Sequence, residues 1–304
     1  MSAPSSQKLS LGKAPLLAGV IGSPIAHSLS PLIHTIWASR EAIDAHYVPI
    51  DVPDTDTAFK RAINSLQTIG FAGVNVTLPH KRRALAIADQ ASDVAMRAGA
   101  ANMLTLQDGA LYADNSDVFG FSAALDEARQ RHQSAQTDIA DAPKPATTAL
   151  ILGAGGAARG VILSLQALGV GEILIANRTR ARADELTLGA PKLRSIPWEE
   201  RHAALGEVDI VVNTTSLGKV GQPPLEIELD GSDPNLIVAD IVYTPLKTRL
   251  LRDAEALNLA VIDGLSMLMH QAIPGFKNWL GSSPVVDGPL RKALIMELER
   301  RKIG

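Results

Sequence analysis

Short apolar runs alternate with segments of helical period along nearly the whole chain, a pattern best met by parallel strands joined by crossover helices. The expected class is therefore α/β. Strands are expected at Leu16–Gly22, His46–Val52, Gly73–Leu78, Thr148–Gly153, Glu172–Ala176, Val208–Asn213, Leu236–Ile241 and Ala260–Ile262, with helices between them. Two further helices are expected after Asp263, at Leu265–Leu280 and Pro289–Lys302. At roughly 150 residues per domain, a chain of 304 residues has room for two domains. Between His132 and Thr147 the chain carries prolines, Asp, Gln and Ser without apolar period, which reads as an exposed loop at the domain seam. The Ala-rich stretch before it, Val118–Arg131, reads as a helical connector, and Met1–Lys13 as a loose tail.

Charge and composition narrow the function. Lys and Arg number 29 against 32 Asp and Glu, a formal net charge of -3, so the chain lacks the overall positive field that nucleic-acid and anionic-membrane binders use. No apolar run reaches the roughly 18 residues of a membrane span. With no cysteine, disulfides, zinc ribbons, iron–sulfur clusters and thiol catalysis are excluded. The seven His show no His-Glu-x-x-His spacing, so no metal centre is expected. Met1–Leu17 has scattered apolar residues rather than the continuous core of a secretory leader, and a cytoplasmic protein is expected. A monomer and a homodimer are equally compatible with the sequence.

Two segments point to ligands. Gly153-Ala154-Gly155-Gly156-Ala157-Ala158 follows an expected strand and opens the helical run Arg159–Leu168. In that context a glycine turn lets backbone N–H groups approach a pyrophosphate at a helix N-terminus; a tight turn without ligand is the alternative. The next strand ends at Asn177-Arg178-Thr179, with Arg182 one turn on, where an NAD-binding protein places a carboxylate against the ribose. No carboxylate stands there. Asn and Thr can bond a phosphate and the guanidinium forks can neutralise it, which favours NADP; surface arginines at a helix start are the alternative.

The second segment is Gly22-Ser-Pro-Ile-Ala-His-Ser28-Leu-Ser30-Pro31, leading into the helical run Leu32–Arg40. Ser30 before Pro31 reads as an N-cap, leaving hydroxyls and free N–H groups for a carboxylate, or serving only the helix. In Gly73-Val-Asn75-Val-Thr77-Leu-Pro79-His-Lys81, strand alternation points Asn75 and Thr77 the same way, with Lys81 just past the strand end where open α/β sheets bind ligands. Polar residues recur at Gly99-Ala-Ala-Asn102-Met103 and Asp114-Asn115-Ser116-Asp117.

Taken in order, these motifs resemble the shikimate dehydrogenase family over about residues 16–280, together with Asn213-Thr-Thr-Ser-Leu-Gly218, Asp240-Ile-Val-Tyr243 and Asp263-Gly264-Leu-Ser-Met267-Leu-Met-His-Gln271. The resemblance implies reversible reduction of 3-dehydroshikimate to shikimate with NADPH. It implies Lys81 and Asp117 as the catalytic pair, Ser28 and Ser30 on the substrate carboxylate, and Asn75, Thr77, Asn102, Asp117 and Gln271 on ring hydroxyls. Tyr243 would lie between substrate and nicotinamide, with Ile241, Gly264 and Met267 lining the nicotinamide side. Gly153, Ala154, Gly155, Gly156 and Ala157 would cradle the pyrophosphate, and Asn177, Arg178, Thr179 and Arg182 the 2′-phosphate. The implied fold is a substrate domain (1–117) completed by C-terminal helices (264–304) around a central Rossmann-like NADP domain (118–263). Spacing alone places Gly264, Met267 and Gln271 on one helix face.

Three positions depart from the family pattern: Met103 and Ser116 stand where threonines are usual, and Ser266 where glycine is. Ser116 leaves room beside the ring, so a paralogue acting on quinate or a related cyclohexane carboxylate is the competing enzyme reading. A non-catalytic ligand sensor is the reading from another class, opposed by the presence of both Lys81 and Asp117.

Overall fold

Two six-stranded sheets organise residues 14–135 and 146–303, the parts of the chain described by a computed structural model. The expected tail Met1–Lys13 lies outside these residues. The first sheet contains β1 (Leu16–Gly22), β2 (Ala45–Asp51), β3 (Phe71–Val76), β4 (Gln90–Ala91), β5 (Met103–Gln107) and β6 (Ala110–Asp114), in the order β2-β1-β3-β5-β6-β4. Helices α1 (Ser30–Arg40), α2 (Asp56–Thr68), α3 (Lys81–Ile87) and α4 (Asp93–Ala98) connect them. β1 is parallel to β2 and β3, whereas β5 runs antiparallel to β3 and β6.

After α5 (Asp117–Ala135) the second sheet comprises β7 (Thr148–Leu152), β8 (Glu172–Ala176), β9 (Leu193–Ile196), β10 (Ile210–Asn213), β11 (Ile237–Asp240) and β12 (Ala260–Asp263). Its order is β12-β11-β10-β7-β8-β9, and every pairing is parallel. Two successive windings therefore diverge from β7 and β10, as in the doubly wound dinucleotide-binding fold, and leave a crevice at their carboxyl ends. α6 (Gly156–Ala167), α7 (Arg180–Thr187) and α8 (Arg249–Ala256) follow their strands. Buried clusters on both faces explain why β10 and β11 are apolar without alternation.

α9 (Gly264–Leu280) and α10 (Gly288–Ile303) return to the first sheet, where Leu265, Phe276, Trp279, Leu290 and Leu294 share a core with Ala18, Val20 and Trp37. The approach is close. A Cβ on Gly73 of β3 would lie 2.0 Å from the Trp279 Nε1, which instead donates to Thr105 Oγ1 at 3.1 Å. Among the described residues no helix is long and apolar enough to cross a membrane.

Several expected boundaries shift. α5 continues through His132–Ala135, which the loop expectation had claimed; residues 136–145 lie outside the described part. The β5–β6 hairpin and the short β4 and β9 are absent from the sequence expectation. Leu104-Thr-Leu-Gln107 and Ala110-Leu-Tyr-Ala-Asp114 flank Asp108-Gly109, whose φ values of 52 and 78 form a two-residue turn of the kind Asp-Gly favours. That dipeptide was the available signal. β9 is a four-residue strand with polar Arg194 and Ser195, too short to show a period.

Candidate active site

The first sheet also winds both ways, β1 into β2 on one side and β3 on the other, so the loops after β1 and β3 meet at a second carboxyl-end crevice. Thr77 N–H donates to Ile21 O at 2.8 Å and Ser23 N–H to Leu78 O at 3.1 Å, stitching the strand ends together. One loop carries Ser28 and Ser30; the other delivers Lys81 as the first residue of α3. Ser30 is not the N-cap expected for α1. It is the first helical residue, and its N–H donates to Ser28 Oγ at 3.2 Å, so the preceding serine supplies the local acceptor and the Ser30 hydroxyl is left for other partners.

Lys81 and Asp117 meet across 36 positions of sequence. Lys81 Nζ lies 2.6 Å from Asp117 Oδ2, with side-chain exposures of 22% and 16%, so the pair is accessible to a small ligand yet largely shielded from water. Asp117 Oδ1 accepts from Asn102 Nδ2 at 2.8 Å, and Asn115 Oδ1 accepts the Asp117 N–H at 3.1 Å. Both carboxylate oxygens thus have fixed donors. Asn102 Oδ1 accepts the Ser116 N–H at 2.7 Å, and Ser116 Oγ donates to Gln271 Oε1 at 3.4 Å, which brings the α9 residue into the same cluster. Asn75 is buried in β3 and donates through Nδ2 to Asn102 O at 3.2 Å. Thr77 is half-buried beyond the strand end.

The departures from the family pattern separate here. Ser116 belongs to the site, buried and bonded to Asn102 through its hydroxyl at 3.1 Å. Met103 lies instead in the core, its side chain packed in the cluster containing Trp37, Tyr47 and Phe276. Ser266 donates to Glu127 Oε2 at 2.6 Å, beside His270 at 3.1 Å from the same oxygen, and so ties α9 to α5. These bonds hold the Glu127 carboxyl down at about 2, the His270 contact contributing most.

At the other crevice, Gly153 leaves β7 with φ 108, and a Cβ there would lie 2.8 Å from Thr214 Oγ1, so only glycine fits without strain. α6 begins at Gly156, three residues earlier than expected, with Gly155 as its cap residue and Ala154 and Ala157 partly buried beside it. Cβ atoms built on Gly155 or Gly156 meet nothing within 4 Å, so this helix start is open to a ligand. Asn177 Nδ2 donates to Thr179 O at 2.7 Å, shaping the turn after β8. Arg178, Thr179 and Arg182 are exposed, and neither arginine has an ion-pair partner among the described residues.

Between the crevices, Gly160 of α6 faces Asp117, its Cβ position 3.4 Å from the Asp117 Cβ. The nucleotide-side helix therefore abuts the Lys81–Asp117 pair. Ile241 and Met267 are partly buried against the second-sheet core, and Tyr243 against the first-sheet core. Gly264 is buried with its Cβ position 2.2 Å from Ile241 O; it allows α9 to start against the loop after β11. Burial pushes the Tyr243 hydroxyl above its usual range, opposed by the positive charge of Arg301.

Sequence reasoning missed Tyr47 and Asp240. Tyr47 lies in β2 and donates through its hydroxyl to Asn75 Oδ1 at 2.7 Å. Asp240 ends β11 and accepts from Asn213 Nδ2 at 3.0 Å, Thr248 Oγ1 at 2.7 Å and Val242 N–H at 3.0 Å. It was quoted only as part of a motif, although a carboxylate ending an apolar strand was a signal.

Comparison with known proteins follows this geometry. The family profile described as shikimate dehydrogenase substrate binding domain matches residues 20–104, and that described as shikimate / quinate 5-dehydrogenase matches 133–221. A curated shikimate dehydrogenase (NADP(+)) of Cereibacter sphaeroides is 45% identical over 282 residues, 92% of this chain and 96% of that protein. A Thermus thermophilus shikimate 5-dehydrogenase solved with NADP(H) and shikimate superposes with a TM-score of 0.77 at 33% identity, over 93% of this chain and 99% of the other. A Corynebacterium glutamicum quinate dehydrogenase solved with NAD gives 0.80 at 26% identity, over 93% and 99%. The chain belongs to the shikimate dehydrogenase family.

Proposed function

We propose that this chain reversibly reduces 3-dehydroshikimate to shikimate with NADPH, with Lys81 and Asp117 as its catalytic pair. The observation that carries the reading is the Lys81–Asp117 contact in a polar crevice that the glycine-turn helix abuts. The cofactor fits the open start of α6: Gly155, Gly156 and Ala157 present backbone N–H groups, and Arg178 and Arg182, without an ion-pair partner among the described residues, offer guanidiniums beside Asn177 and Thr179 for a 2′-phosphate. Bound there, NADPH supplies the hydride.

The chain's own work is to hold the ring and manage a proton. Reduction of the ring carbonyl builds negative charge on its oxygen, which a donor at hydrogen-bonding distance must meet. Lys81 Nζ supplies that proton, and in the oxidative direction accepts the hydroxyl proton as the neutral amine. Asp117 aims Lys81 through Oδ2 and, held by Asn102, accepts a bond from a ring hydroxyl. Asn75, Thr77, Asn102 and Gln271 bind the remaining hydroxyls. Ser28 and Ser30 take the carboxylate near the start of α1. Tyr243, Ile241, Gly264 and Met267 border the nicotinamide face.

The domain division follows as 1–117 with 264–304 for the substrate and 118–263 for the cofactor. One chain carries the full set of groups, so a monomer suffices and a homodimer is the alternative. The setting proposed is cytoplasmic, and the net negative charge disfavours nucleic acid as a partner. Quinate is the second reading, favoured by the small Ser116 side chain beside Asp117, since a pocket-edge change discriminates by only about 1–3 kcal/mol. Initial rates for shikimate and quinate, each with NADP and NAD, test both; the expected order places shikimate with NADP first, and no NADPH formation from shikimate overturns the proposal.

A further inference from the structure

The buried floor beneath the substrate crevice is one continuous hydrogen-bonded line. Its end nearest α1 is Tyr47, which packs against His34 of that helix. Tyr47 donates to Asn75 Oδ1 at 2.7 Å, Asn75 Nδ2 donates to Asn102 O at 3.2 Å, Asn102 Nδ2 donates to Asp117 Oδ1 at 2.8 Å, and Lys81 Nζ closes on Asp117 Oδ2 at 2.6 Å. Every residue of the line except Tyr47 has a part in the proposed site. Tyr47 sits on β2, an edge strand, and is 7% exposed.

We propose that Tyr47 is a positioning residue that fixes which end of the Asn75 amide faces the substrate ring. Its hydroxyl resolves an ambiguity in Asn75. A side-chain amide can turn either end toward a ligand, but with Oδ1 accepting from Tyr47 and one Nδ2 hydrogen donated to a main-chain carbonyl, turning Asn75 over would break both bonds, so the orientation that offers its second N–H is fixed. It therefore presents a donor, which suits a hydroxyl oxygen. The phenol is itself held in place. The ring cannot swing away, because His34 stacks on it with centroids 3.8 Å apart at 12°. His34 is fully buried with both ring nitrogens unpartnered among the described residues, and that burial lowers it to about 3, so it stays a neutral plate at working pH.

This inference rests on the functional reading above, and the two fail differently. Tyr47→Phe keeps the ring and the stack while leaving Asn75 Oδ1 without its donor. Expected is a rise in KM for shikimate of about tenfold, in line with a buried polar group left unsatisfied, with kcat and KM for NADP within about twofold. A cycle with Asn75→Ala separates positioning from general loosening. The Tyr47→Phe effect on KM should shrink in the Asn75→Ala background, whereas additive effects mean a merely structural tyrosine and overturn the proposal. The wild-type protein gives a check independent of folding: with 3-fluorotyrosine incorporated and Tyr112→Phe and Tyr243→Phe used for assignment, saturation with shikimate should shift the Tyr47 fluorine resonance. An unmoved resonance, or unchanged KM in Tyr47→Phe, overturns the role of Tyr47 while wild-type turnover stands. A wild type that forms no NADPH from shikimate overturns the functional reading and this inference with it.

Discussion

The two crevices of this molecule are built on the same winding principle and finished in opposite ways. In the first sheet, polar side chains are buried and already bonded to one another: Asn75, Asn102, Ser116 and Gln271 are each below 9% exposure, and Asp117 has both carboxylate oxygens occupied. In the second sheet the ligand-facing groups are backbone N–H at an open helix start and exposed arginines with no ion-pair partner among the described residues. Ring hydroxyls are weak handles, so the orientation of a ring that carries them must be dictated by donors and acceptors fixed in advance. A dinucleotide phosphate brings its own charge, and loosely held cations suffice to receive it. The contrast is between a site that positions and a site that captures.

The sharpest way to break this contrast is at Lys81. If the first crevice is organised for chemistry, Lys81→Ala should lower kcat roughly 10²–10⁴-fold, the usual size of acid–base assistance, with a smaller change in substrate KM. Steady-state kinetics at several pH values decide it; near wild-type kcat with an unchanged profile makes Lys81 an ordinary surface lysine. Next comes the carboxylate anchor. Replacing Ser28 and Ser30 together by Ala should raise KM for shikimate about a hundredfold, two charge-assisted bonds being lost, and leave KM for NADP nearly unchanged. A neutral shikimate ester that turns over as well as the acid reduces both serines to helix-start residues.

On the capturing side the expected effect is smaller and confined to binding. Arg178→Ala should weaken NADP by roughly 1.5–3 kcal/mol, the worth of a hydrogen bond to a charged group, and leave NAD little changed. Calorimetric titration with each cofactor reads this directly. Equal losses for both would mean that Arg178 touches a part the two cofactors share.

The same division governs what the sequence revealed. The second sheet's apolar strands and the glycine turn are local signals, and β8 falls at Glu172–Ala176 as expected. The Arg178 reading needed only the residues next to that strand. The positioning network is non-local. Lys81 and Asp117 lie 36 positions apart and Ser116 and Gln271 155 apart, so no spacing rule could pair them, and their candidacy came from family resemblance. Tyr47 escaped because an aromatic residue in a short strand reads as core, and half of what it does is core packing on His34. Ser-Pro usually marks a cap at the serine; here Ser30 is the first helical residue and the acceptor is Ser28 Oγ, two residues earlier.

One group in the second sheet belongs by its chemistry with the first crevice, and it supplies the subtlest test of the contrast. Asp240 is buried at the end of β11, where it braces the loop carrying Ile241, Val242 and Tyr243. Burial raises its carboxyl from 3.8 to about 6, against the opposing bonds from Val242, Thr248 and Asn213. Since the folded form holds the proton more tightly than the unfolded chain, this group favours folding most below about pH 4, and that contribution is lost as pH rises through 6. Asn in its place cannot ionise, yet can still accept from Asn213 and Val242 and turn its amide toward Thr248. Tm of Asp240→Asn minus Tm of wild type should therefore climb between pH 4 and 6.5 and then level. Its span should be a few degrees, since about 1 kcal/mol moves a chain of this size by roughly 2 °C. Carboxylates such as Glu127, held down at about 2, push the stability of both proteins the other way with pH and cancel in the difference. A difference that stays flat from pH 4 to 7 would mean Asp240 remains ionised throughout, paid for by its three donors, and that the loop carrying Ile241 and Tyr243 is braced as firmly by charge as the Lys81 crevice is.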